Sequence, residues 1–561
     1  MKPSPFPIVT SVSVFLLASA LAFQRPELGK WRIILPTLLG AVTFVWSSRM
    51  RRGTEAVITR HDYALVAPAP AGTVGGLVEK LTARGYRLDA QVIDDENKPT
   101  GAAPTGQALT GAAGTTFAAE PPPAKAAAAP AGSSALAAKR FELPNGLRVF
   151  VLEDHAKPTL AVVTWFRVGS KDELSKRTGF AHLFEHLMFK GSAHIPDGKM
   201  DVLLEEAGGW SNAFTSSDMT VYQNVAASSF LEQALWIDAD RLAGLLETFD
   251  LPKLDNQREV VLNERRQTYE NQPYGEAPLK IQELLWPKGH GYHWSTIGYP
   301  EDLRAAAIPD VKAFFENYYV PSNATMVIAG DVSAKEVEAL VTKYFGWLPK
   351  APAPQRPSYA IPAALTKEVR GDLTDDVELP RVYLAWRGPL VYSKEEPSLD
   401  LAADVLGGGK SSRLYKTLVY DKRLAQDVEA GFDGEQLGGT FSVVATAKPG
   451  VKPEVLEAAM EAEVAKLAAT PPTAEELERV KNSRESGFLS KLESQVQRAI
   501  QLAQYDVQAG DADYFAKDLA RYQAVTSAEI AAAAKTWLGA GHVTVTVRPA
   551  PKAAAKPAVK K

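Results

Sequence analysis

The order of strand-like and helix-like patterns between residues 140 and 549 occurs twice, and this repeat limits the fold more than any other feature. "AVVTWFRVGS" in the first half corresponds to "PRVYLAWRGP" in the second, and a helical pattern follows each of them. Prolines cluster at residues 349–362, where the two halves would join. The repeat predicts two similar domains of about 200 residues each, at 140–352 and 353–549.

The patterns within each half indicate the fold class. "FELPNGLRVFVLED" alternates apolar and polar residues around Asn145 and Gly146, which is typical of a β-hairpin. Long helical patterns cover residues 252–269 in the first half and 474–509 in the second. Because hairpins favour antiparallel pairing, we expect an α+β fold in which each domain is a largely antiparallel sheet with helices packed on one side.

Two apolar runs, at residues 6–23 and 31–46, precede these domains. The first begins after Lys2 and ends in Ala-Leu-Ala at residues 20–22, which is typical of a cleaved secretory signal. Both runs are close to the roughly 17 to 25 residues that cross a bilayer. A signal peptide, a transmembrane hairpin and a buried pair of soluble helices are therefore all open for residues 1–53, and flanking basic residues do not decide the topology.

The composition of residues 98–139 is dominated by Ala, Pro, Gly, Ser and Thr. Such a chain cannot bury enough apolar surface to order itself, so we expect a flexible, extended linker. It follows a small α/β piece of uncertain role at 54–97, and a basic tail at 550–561 ends the chain. With the apolar runs, the linker predicts a protein of the cell envelope, membrane-anchored or periplasmic, whose domains lie outside the cytoplasmic membrane.

Charge and cysteine content exclude several classes of function. The net charge is −4 and no long basic run occurs before the last residues, so nothing indicates nucleic acid as a partner. The chain has no cysteine, which excludes disulfides, a thiol nucleophile and cysteine-based metal sites. A metal ion would have to be bound by histidines and carboxylates.

Such residues occur together in "GFAHLFEHLMFKGS", within a predicted helix at residues 179–190. His182 and His186 are one turn apart on the same face, so both imidazoles can bind one ion. Zinc would still need another protein ligand and a position for water, whose pKa it lowers from 15.7 to about 7. Glu185, beside that face, could then take the proton from the water. The spacing H-x-x-E-H is the inverted form of the H-E-x-x-H zinc helix.

In these residues, "RTGFAHLFEHLMFKGS" resembles the active-site helix of the pitrilysin, insulinase and mitochondrial processing peptidase family of inverted zinc metallopeptidases. The resemblance extends over residues 140–549. It implies a zinc-dependent metalloendopeptidase that hydrolyses peptides or unfolded polypeptide segments. It also implies one Zn²⁺ per chain, with Glu185 as the catalytic base.

The third zinc ligand is predicted from the resemblance. In that family it is a glutamate on a second helix, roughly 75 to 80 residues further on. "NQREVVLNERRQTYENQPYG" supplies Glu264 at the matching position. Glu259, Glu270 and Glu276 are nearby and are interpreted as solvated charges. Some relatives have a second glutamate two helical turns before the ligand, where this chain has Gln257, and this puts an outer-shell interaction in doubt.

A substrate-binding strand is also implied. "GGWSNAFTSSDMTVYQNVA" resembles the family's edge strand, in which the backbone around Asn212, Ala213 and Phe214 would pair with an extended peptide. The alternative is an ordinary edge strand after a Gly-Gly turn. His290 and His293, in "GHGYHWSTIGYPEDL", are interpreted as structural rather than as ligands.

The second half contains "GGGKSSRLYKTL", which resembles the family's glycine-rich segment followed by an arginine and a tyrosine. Arg413 and Tyr415 would be catalytic, as hydrogen-bond donors to the substrate carbonyl or to the oxyanion. The alternative is that the glycines end a helix and that Arg413 faces solvent.

The resemblance implies a partner chain as well. Family members enclose the substrate between two kinds of domain contributed by different half-molecules, so a homodimer or a heterodimer with a related chain is expected. Two alternatives from other classes stay open. One is a noncatalytic core or assembly subunit of the same fold, and the other is a membrane-tethered module that binds peptides without cutting them.

Overall fold

A computed structural model describes residues 136–551 in full and, before them, only the backbone of five short strands. The chain divides into two compact units, Met1–Ala127 and Ala128–Lys561. In the first unit, Leu16–Leu17 pairs with Leu35–Pro36. The other strands form a sheet in the order Tyr63–Ala69, Thr54–Arg60, Asp89–Ile93.

Several predictions made for the chain ends fall outside the described residues. These are most of the apolar runs, residues 98–135 of the predicted linker and residues 552–561 of the tail. Within the described residues, every helix is too short or too polar to span a bilayer. The signal peptide, the membrane anchor and the domain bounds stay predictions.

Six strands form the first sheet of residues 136–551. In chain order they are β1 Lys139–Glu142, β2 Arg148–Glu153, β3 Thr159–Phe166, β4 Trp210–Thr215, β5 Thr220–Ala227 and β6 Ala324–Gly330. Across the sheet the order is β1-β2-β6-β3-β5-β4, and only β2 and β6 are parallel neighbours. The hairpin predicted around Asn145 and Gly146 joins β1 to β2. Among the described residues, strand β4 is therefore a free edge of the sheet.

Five strands form the second sheet: β7 Val369–Asp375, β8 Arg381–Gly388, β9 Ala425–Asp433, β10 Gly439–Ala447 and β11 Val543–Pro549. Their order is β7-β11-β8-β10-β9, and only β7 and β11 are parallel. Without β1, the first sheet has the same order and the same parallel pair. The two sheets thus share one topology, and the predicted α+β fold is confirmed.

The helices of residues 136–551 belong to the same two halves. The first half contains α1 Phe180–Leu187, α2 Lys199–Glu206, α3 Leu231–Gly244, α4 Leu251–Arg265, α5 Ala277–Leu285, α6 Pro300–Ala305, α7 Ile308–Tyr318 and α8 Ala334–Phe345. The second half contains α9 Glu396–Gly407, α10 Pro453–Ala469, α11 Ala474–Lys491, α12 Gln495–Gln504, α13 Phe515–Ala524 and α14 Ser527–Trp537. The helix predicted at 474–509 is interrupted, because Ser494 caps a new helix by accepting a hydrogen bond from Gln497 N. That prediction of one continuous helix is wrong.

Each sheet buries one face against its own helices and the other against a helix of the opposite half. On the first sheet, α1, α3, α4, α7 and α8 cover one face. Val496, Ala499 and Leu502 of α12 pack on the other, against Trp165 and Val163. Helix α5 of the first half covers the second sheet in return, through Ala277 and Leu285 packed against residues of β8 and β11. This exchange of helices ties the two halves together.

Candidate metal centre

The N-terminus of helix α1 is fixed by a glycine that precedes it and by hydrogen bonds to a carboxylate outside the helix. Gly179 adopts φ +84°, and a Cβ there would lie 2.9 Å from a side-chain carbon of Leu303, so the position requires glycine. The carboxylate of Glu173 accepts hydrogen bonds from Gly179 N at 2.9 Å and Ala181 N at 2.8 Å. Trp294 Nε1 donates to the same carboxylate at 2.9 Å. The first unpaired amides of the helix are thereby satisfied.

Three side chains from α1 and α4 meet above this helix. His182 Nε2 and His186 Nε2 are 3.3 Å apart. Glu264 Oε2, near the end of α4, lies 3.7 Å from His182 Nε2 and 3.3 Å from His186 Nε2. All three residues are partly exposed, so a small ligand can reach them. The structure places together the residues that the sequence predicted as metal ligands.

The spacing of these atoms fits a tetrahedral ion. Two ligands each about 2.1 Å from one metal are about 3.4 Å apart at a tetrahedral angle. Burial, and secondly the neighbouring His186, lower the pKa of His182 to about 4, which keeps the imidazole neutral. The hydrogen bond with His186 lowers the pKa of Glu264. Both side chains are then in the forms that bind metal ions, and two imidazoles with one carboxylate suit zinc.

Glu185 lies beside the cluster and points to the edge strand. Thr215 Oγ1, the last residue of β4, donates a hydrogen bond to Glu185 Oε2 at 2.5 Å. Burial raises the pKa of Glu185, while the hydrogen bond from Thr215 opposes this shift. A partly desolvated carboxylate with a raised pKa is a suitable proton acceptor near neutral pH. Thr215 thus fixes the orientation of the predicted base.

Sequence reasoning missed two residues that shape this site, Glu173 and Thr215. Thr215 could have been found from the period of the strand, because Ala213 and Thr215 lie on the same face of β4. Ala213 packs against the core that contains α1, whereas Phe214 packs against the opposite core. No local pattern marks Glu173, which reaches α1 across a loop.

The predicted substrate residues Asn212, Ala213 and Phe214 lie on β4, at the free edge of the first sheet. Ala213 pairs with Tyr222 of β5. Its amide donates to Asn212 Oδ1 at 2.9 Å. Strand β4 also contacts α1. The strand is therefore an edge next to the metal centre, and its pairing with a substrate stays a prediction.

The other carboxylates and histidines near the motif do not join the cluster. Glu270 forms an ion pair with Arg265 Nε at 3.2 Å. The ring of His290 stacks on Trp286 at 5.0 Å, and its Nδ1 accepts from Tyr292 N at 3.1 Å. These contacts agree with the structural interpretation given to His290.

The remaining histidine, glutamates and glutamine near the motif are likewise not part of the metal-ligand cluster. His293 Nδ1 lies 2.9 Å from the carbonyl oxygen of Trp286. Glu259 and Glu276 are exposed. Gln257 is buried and donates to Asn256 Oδ1 at 2.7 Å. Among the described residues near the motif, the metal-binding geometry is therefore confined to His182, His186 and Glu264.

Arg413 and Tyr415 lie in the second half, after α9. Arg413 forms a bidentate ion pair with Glu476, through Nε at 2.9 Å and Nη2 at 2.7 Å. Its Nη1 donates to the carbonyl of Thr470 at 2.8 Å. Tyr415 is half-buried against the core of the second sheet. Within this chain, the structure does not bring either residue to the metal centre.

Two family models match the chain. The model described as "Insulinase (Peptidase family M16)" covers residues 148–283, which include His182, Glu185, His186 and Glu264. The model described as "Peptidase M16 inactive domain" covers residues 307–484. The chain belongs to the M16 family of peptidases. The family predicted from the sequence is confirmed.

Relatives with names and solved structures agree with this assignment. The chain is 32% identical over 376 residues to a zinc protease named PqqE from Helicobacter pylori, covering 65% of this chain and 82% of the relative. It is 27% identical over 272 residues to the β subunit of the mitochondrial-processing peptidase of Blastocladiella emersonii, covering 47% and 56%. A crystal structure of a protease from Helicobacter pylori matches with a TM-score of 0.69 and 29% identity, over 74% of this chain and 99% of that one.

Proposed function

We propose that this protein is a zinc-dependent endopeptidase that hydrolyses peptides or unfolded polypeptide segments. The observation that carries the proposal is the convergence of His182 Nε2, His186 Nε2 and Glu264 Oε2 at separations of 3.3 to 3.7 Å, with Glu185 beside them. One zinc ion per chain would be held by these three side chains.

A bound zinc ion would supply a Lewis acid that polarises the substrate carbonyl and acidifies water. The protein's own part is proton transfer. Thr215 holds Glu185 through Oε2, which leaves Oε1 to accept a proton from the attacking water. The raised pKa of Glu185 allows it to pass that proton on to the leaving amine.

The proposed substrate-binding site is strand β4, at the edge of the first sheet. An extended peptide added next to β4 would form main-chain hydrogen bonds and would lie beside α1, on which the metal ligands stand. Recognition of the main chain tolerates many side chains. We therefore expect broad sequence tolerance and a preference for unfolded segments.

We further propose that two chains act together, as a homodimer or as a heterodimer with a related chain. In this arrangement Arg413 and Tyr415 of one chain would face the metal centre of the other. The contacts of Arg413 with Glu476 favour a positioning role for it, whereas the hydroxyl of Tyr415 has no hydrogen bond within the described residues and is the better candidate donor. The mass of the native particle tests the dimer, and a monomer with full activity would contradict it.

The central test is Glu185→Gln. The amide keeps the size of the side chain and cannot accept a proton, so we expect cleavage of an unfolded peptide to fall at least about 10³-fold while zinc content is unchanged. Glu259→Gln, an exposed glutamate on α4, is the matched control. Equal cleavage rates for both variants would show that Glu185 is not the base, whereas a wild-type protein that binds the peptide without cleaving it would leave the noncatalytic or peptide-binding alternative. Cleavage that resists a chelator would also contradict the proposal.

We propose an envelope location, with the peptidase domains outside the cytoplasmic membrane. Its support is the pair of apolar runs at residues 6–23 and 31–46 and the Ala/Pro-rich composition that follows them. Protease added to intact spheroplasts should degrade the domains. Complete protection would place them on the cytoplasmic side.

A further inference from the structure

A second group of metal-ligating side chains lies in the second half, separate from the first. Glu368, Glu461 and His542 each offer one ligand atom, and these atoms lie within 4.8 Å of one another. His542 Nε2 is 3.2 Å from Glu461 Oε1. That separation is close to the roughly 3.4 Å expected of two ligands of one tetrahedral ion.

The position of the group follows from the sheet. Glu368 and His542 directly precede β7 and β11, and these parallel strands pair Val369 with Val543. The amide of Val369 also donates to the carbonyl of His542 at 2.8 Å. The two side chains therefore start from neighbouring backbone positions at one end of the sheet. Glu461 reaches them from helix α10.

The imidazole of His542 is the observation that points to a ligand. Its side chain is only 6% exposed, and its ring packs against Trp386 at 4.9 Å. Among the described residues, neither ring nitrogen has a hydrogen-bond partner of acceptable geometry. A buried nitrogen without a hydrogen-bond partner costs free energy, so such an atom requires an explanation, and a bound water or ion is one.

The charged side chains around the imidazole of His542 are mostly negative, which favours binding of a cation. Glu368 Oε1 accepts hydrogen bonds from Thr544 Oγ1 at 2.7 Å and is paired with Arg370 Nη2 at 2.8 Å. The guanidinium of Arg370 is shared with Glu457, with which it forms a bidentate pair. One guanidinium thus faces Glu368 and Glu457 together, and among the described residues Glu461 is paired with His542 but with no lysine or arginine. The group carries more negative than positive charge.

We propose that Glu368, Glu461 and His542 bind a divalent transition-metal ion that joins helix α10 to the end of the second sheet. One nitrogen and two carboxylate oxygens suit Zn²⁺ or Mn²⁺. The metal would supply the missing partner of the imidazole and the missing positive charge. Because Glu368 and Glu461 are half-buried, water completes the coordination and exchange with solvent is open. We assign this ion a structural role, because it would link helix α10 to the starts of strands β7 and β11.

The experiment is a titration of the full-length protein, first stripped of metal with a chelator, with Zn²⁺ alone. Calorimetry measures the binding, and metal analysis counts the zinc ions bound per chain. We expect two equivalents per chain in the wild type and one in the double variant His182→Ala/His186→Ala. Glu461→Gln should lose the second-half equivalent, with binding there at least about 100-fold weaker. Glu454→Gln, an exposed residue of the same helix, should bind as the wild type does.

Thermal unfolding gives a second measurement. In the double variant, saturating Zn²⁺ should raise the melting temperature, and this rise should disappear when Glu461→Gln or His542→Gln is added. No zinc bound by the double variant, or equal binding by Glu461→Gln and Glu454→Gln, would overturn the second-half site. If instead the first-half site fails, Glu461→Gln binds no zinc while the double variant still binds one equivalent, so the two proposals are tested separately.

Discussion

In the first half, two histidines one turn apart on α1 face Glu264 on α4, whereas in the second half two aspartates one turn apart on α9 face Arg484 on α11. Arg484 Nη2 lies 2.6 Å from Asp400 Oδ1 and 3.0 Å from Asp404 Oδ2. Both helix pairs occupy the same place in one topology, since α1 and α9 follow β3 and β8. Glu264 and Arg484 even stand equally far in sequence beyond the ends of β5 and β10.

The difference lies in what completes each cluster. Arg484 supplies a cation from the protein itself, and Tyr522 donates to Asp400 Oδ2 at 2.8 Å, so the second-half cluster is closed. Burial raises the pKa of Asp400 to about 6, and Arg484 opposes that shift. The first-half cluster has only electron-pair donors pointing inward. The same framework therefore carries a candidate metal-binding site in one half and a closed ion-pair cluster in the other.

The largest effect is expected from Glu264→Gln. The amide removes the charge that, with the two imidazoles, would bind the metal, so zinc affinity should fall at least about 100-fold and activity at least about 10³-fold. Metal analysis and peptide cleavage check this. Glu270→Gln, whose carboxylate pairs with Arg265, is the control and should keep its zinc.

Arg484→Met should instead affect stability alone. It leaves Asp400 buried beside Asp404 without a counter-charge, at a cost of about 3 kcal/mol. Chemical denaturation measures this cost, and zinc content should be unchanged. Arg479→Met, on the same helix, should cost less, because in the described part of the chain Arg479 donates to the backbone carbonyls of Gly408 and Asp404 and to no carboxylate. Loss of zinc from Arg484→Met would show that the second-half cluster also supports the metal centre.

The exchanged helices can be tested with Leu502→Ala on α12. Leu502 is fully buried against the first sheet, and its truncation should cost about 2 to 5 kcal/mol. A single unfolding transition should persist if the halves fold together, because α12 belongs to one half and covers the other. Leu489→Ala, an exposed residue on α11, is the control. Equal stability of the two variants would contradict the packing described.

Thr215→Val tests how the first-half site holds Glu185 without removing a metal ligand. It deletes the hydroxyl that holds Glu185 and keeps the side-chain shape, so kcat/KM should fall about 10- to 100-fold. Zinc content should not change. Ser211→Ala on the same strand, whose hydroxyl bonds Asp201, serves as the control. An unchanged rate for Thr215→Val would mean that Glu185 needs no fixed orientation.

The smallest expected effect is on stability at acid pH, through the ion pair of Arg413 with Glu476. Its hydrogen bonds lower the pKa of Glu476 from 4.5 to about 2. Because the pKa is lower in the folded state, this pair stabilises the protein fully above about pH 4.5 and loses that contribution as the pH falls towards 2. With Glu476 partly solvated, the contribution should be below about 1 kcal/mol. Acid unfolding of Glu476→Gln against the wild type measures it.

The same pair distinguishes two roles of Arg413. If Arg413 only positions its segment, Glu476→Gln and Arg413→Gln should lower kcat/KM by similar, small factors. If Arg413 donates to the substrate, Arg413→Gln should cost about 100-fold or more while Glu476→Gln costs little. Cleavage kinetics of both variants decide between these outcomes.

Much of the site could be predicted from the sequence because its main signal is local. The period of the helix fixes that His182 and His186 share a face, and alternation predicts the strands on both sides of them. The repeat of strand and helix patterns predicts one topology used twice. The signals that failed are also informative, since the pattern at residues 474–509 continues through Ser494 although the helix ends and restarts there.

What the sequence determined by itself was therefore the family, the order of the elements and the two histidines, all of which depend on neighbours a few residues apart. Glu264 was predicted through the family resemblance, and the tertiary structure places it against the two histidines. The tertiary structure alone decided that Thr215 holds Glu185, that Arg413 binds Glu476, and that α5 and α12 exchange sheets. These contacts join segments far apart in the chain. Side-chain periodicity predicts which face of a helix or strand a residue occupies. Only the packing of complete helices and sheets determines which side chains from other segments that residue contacts.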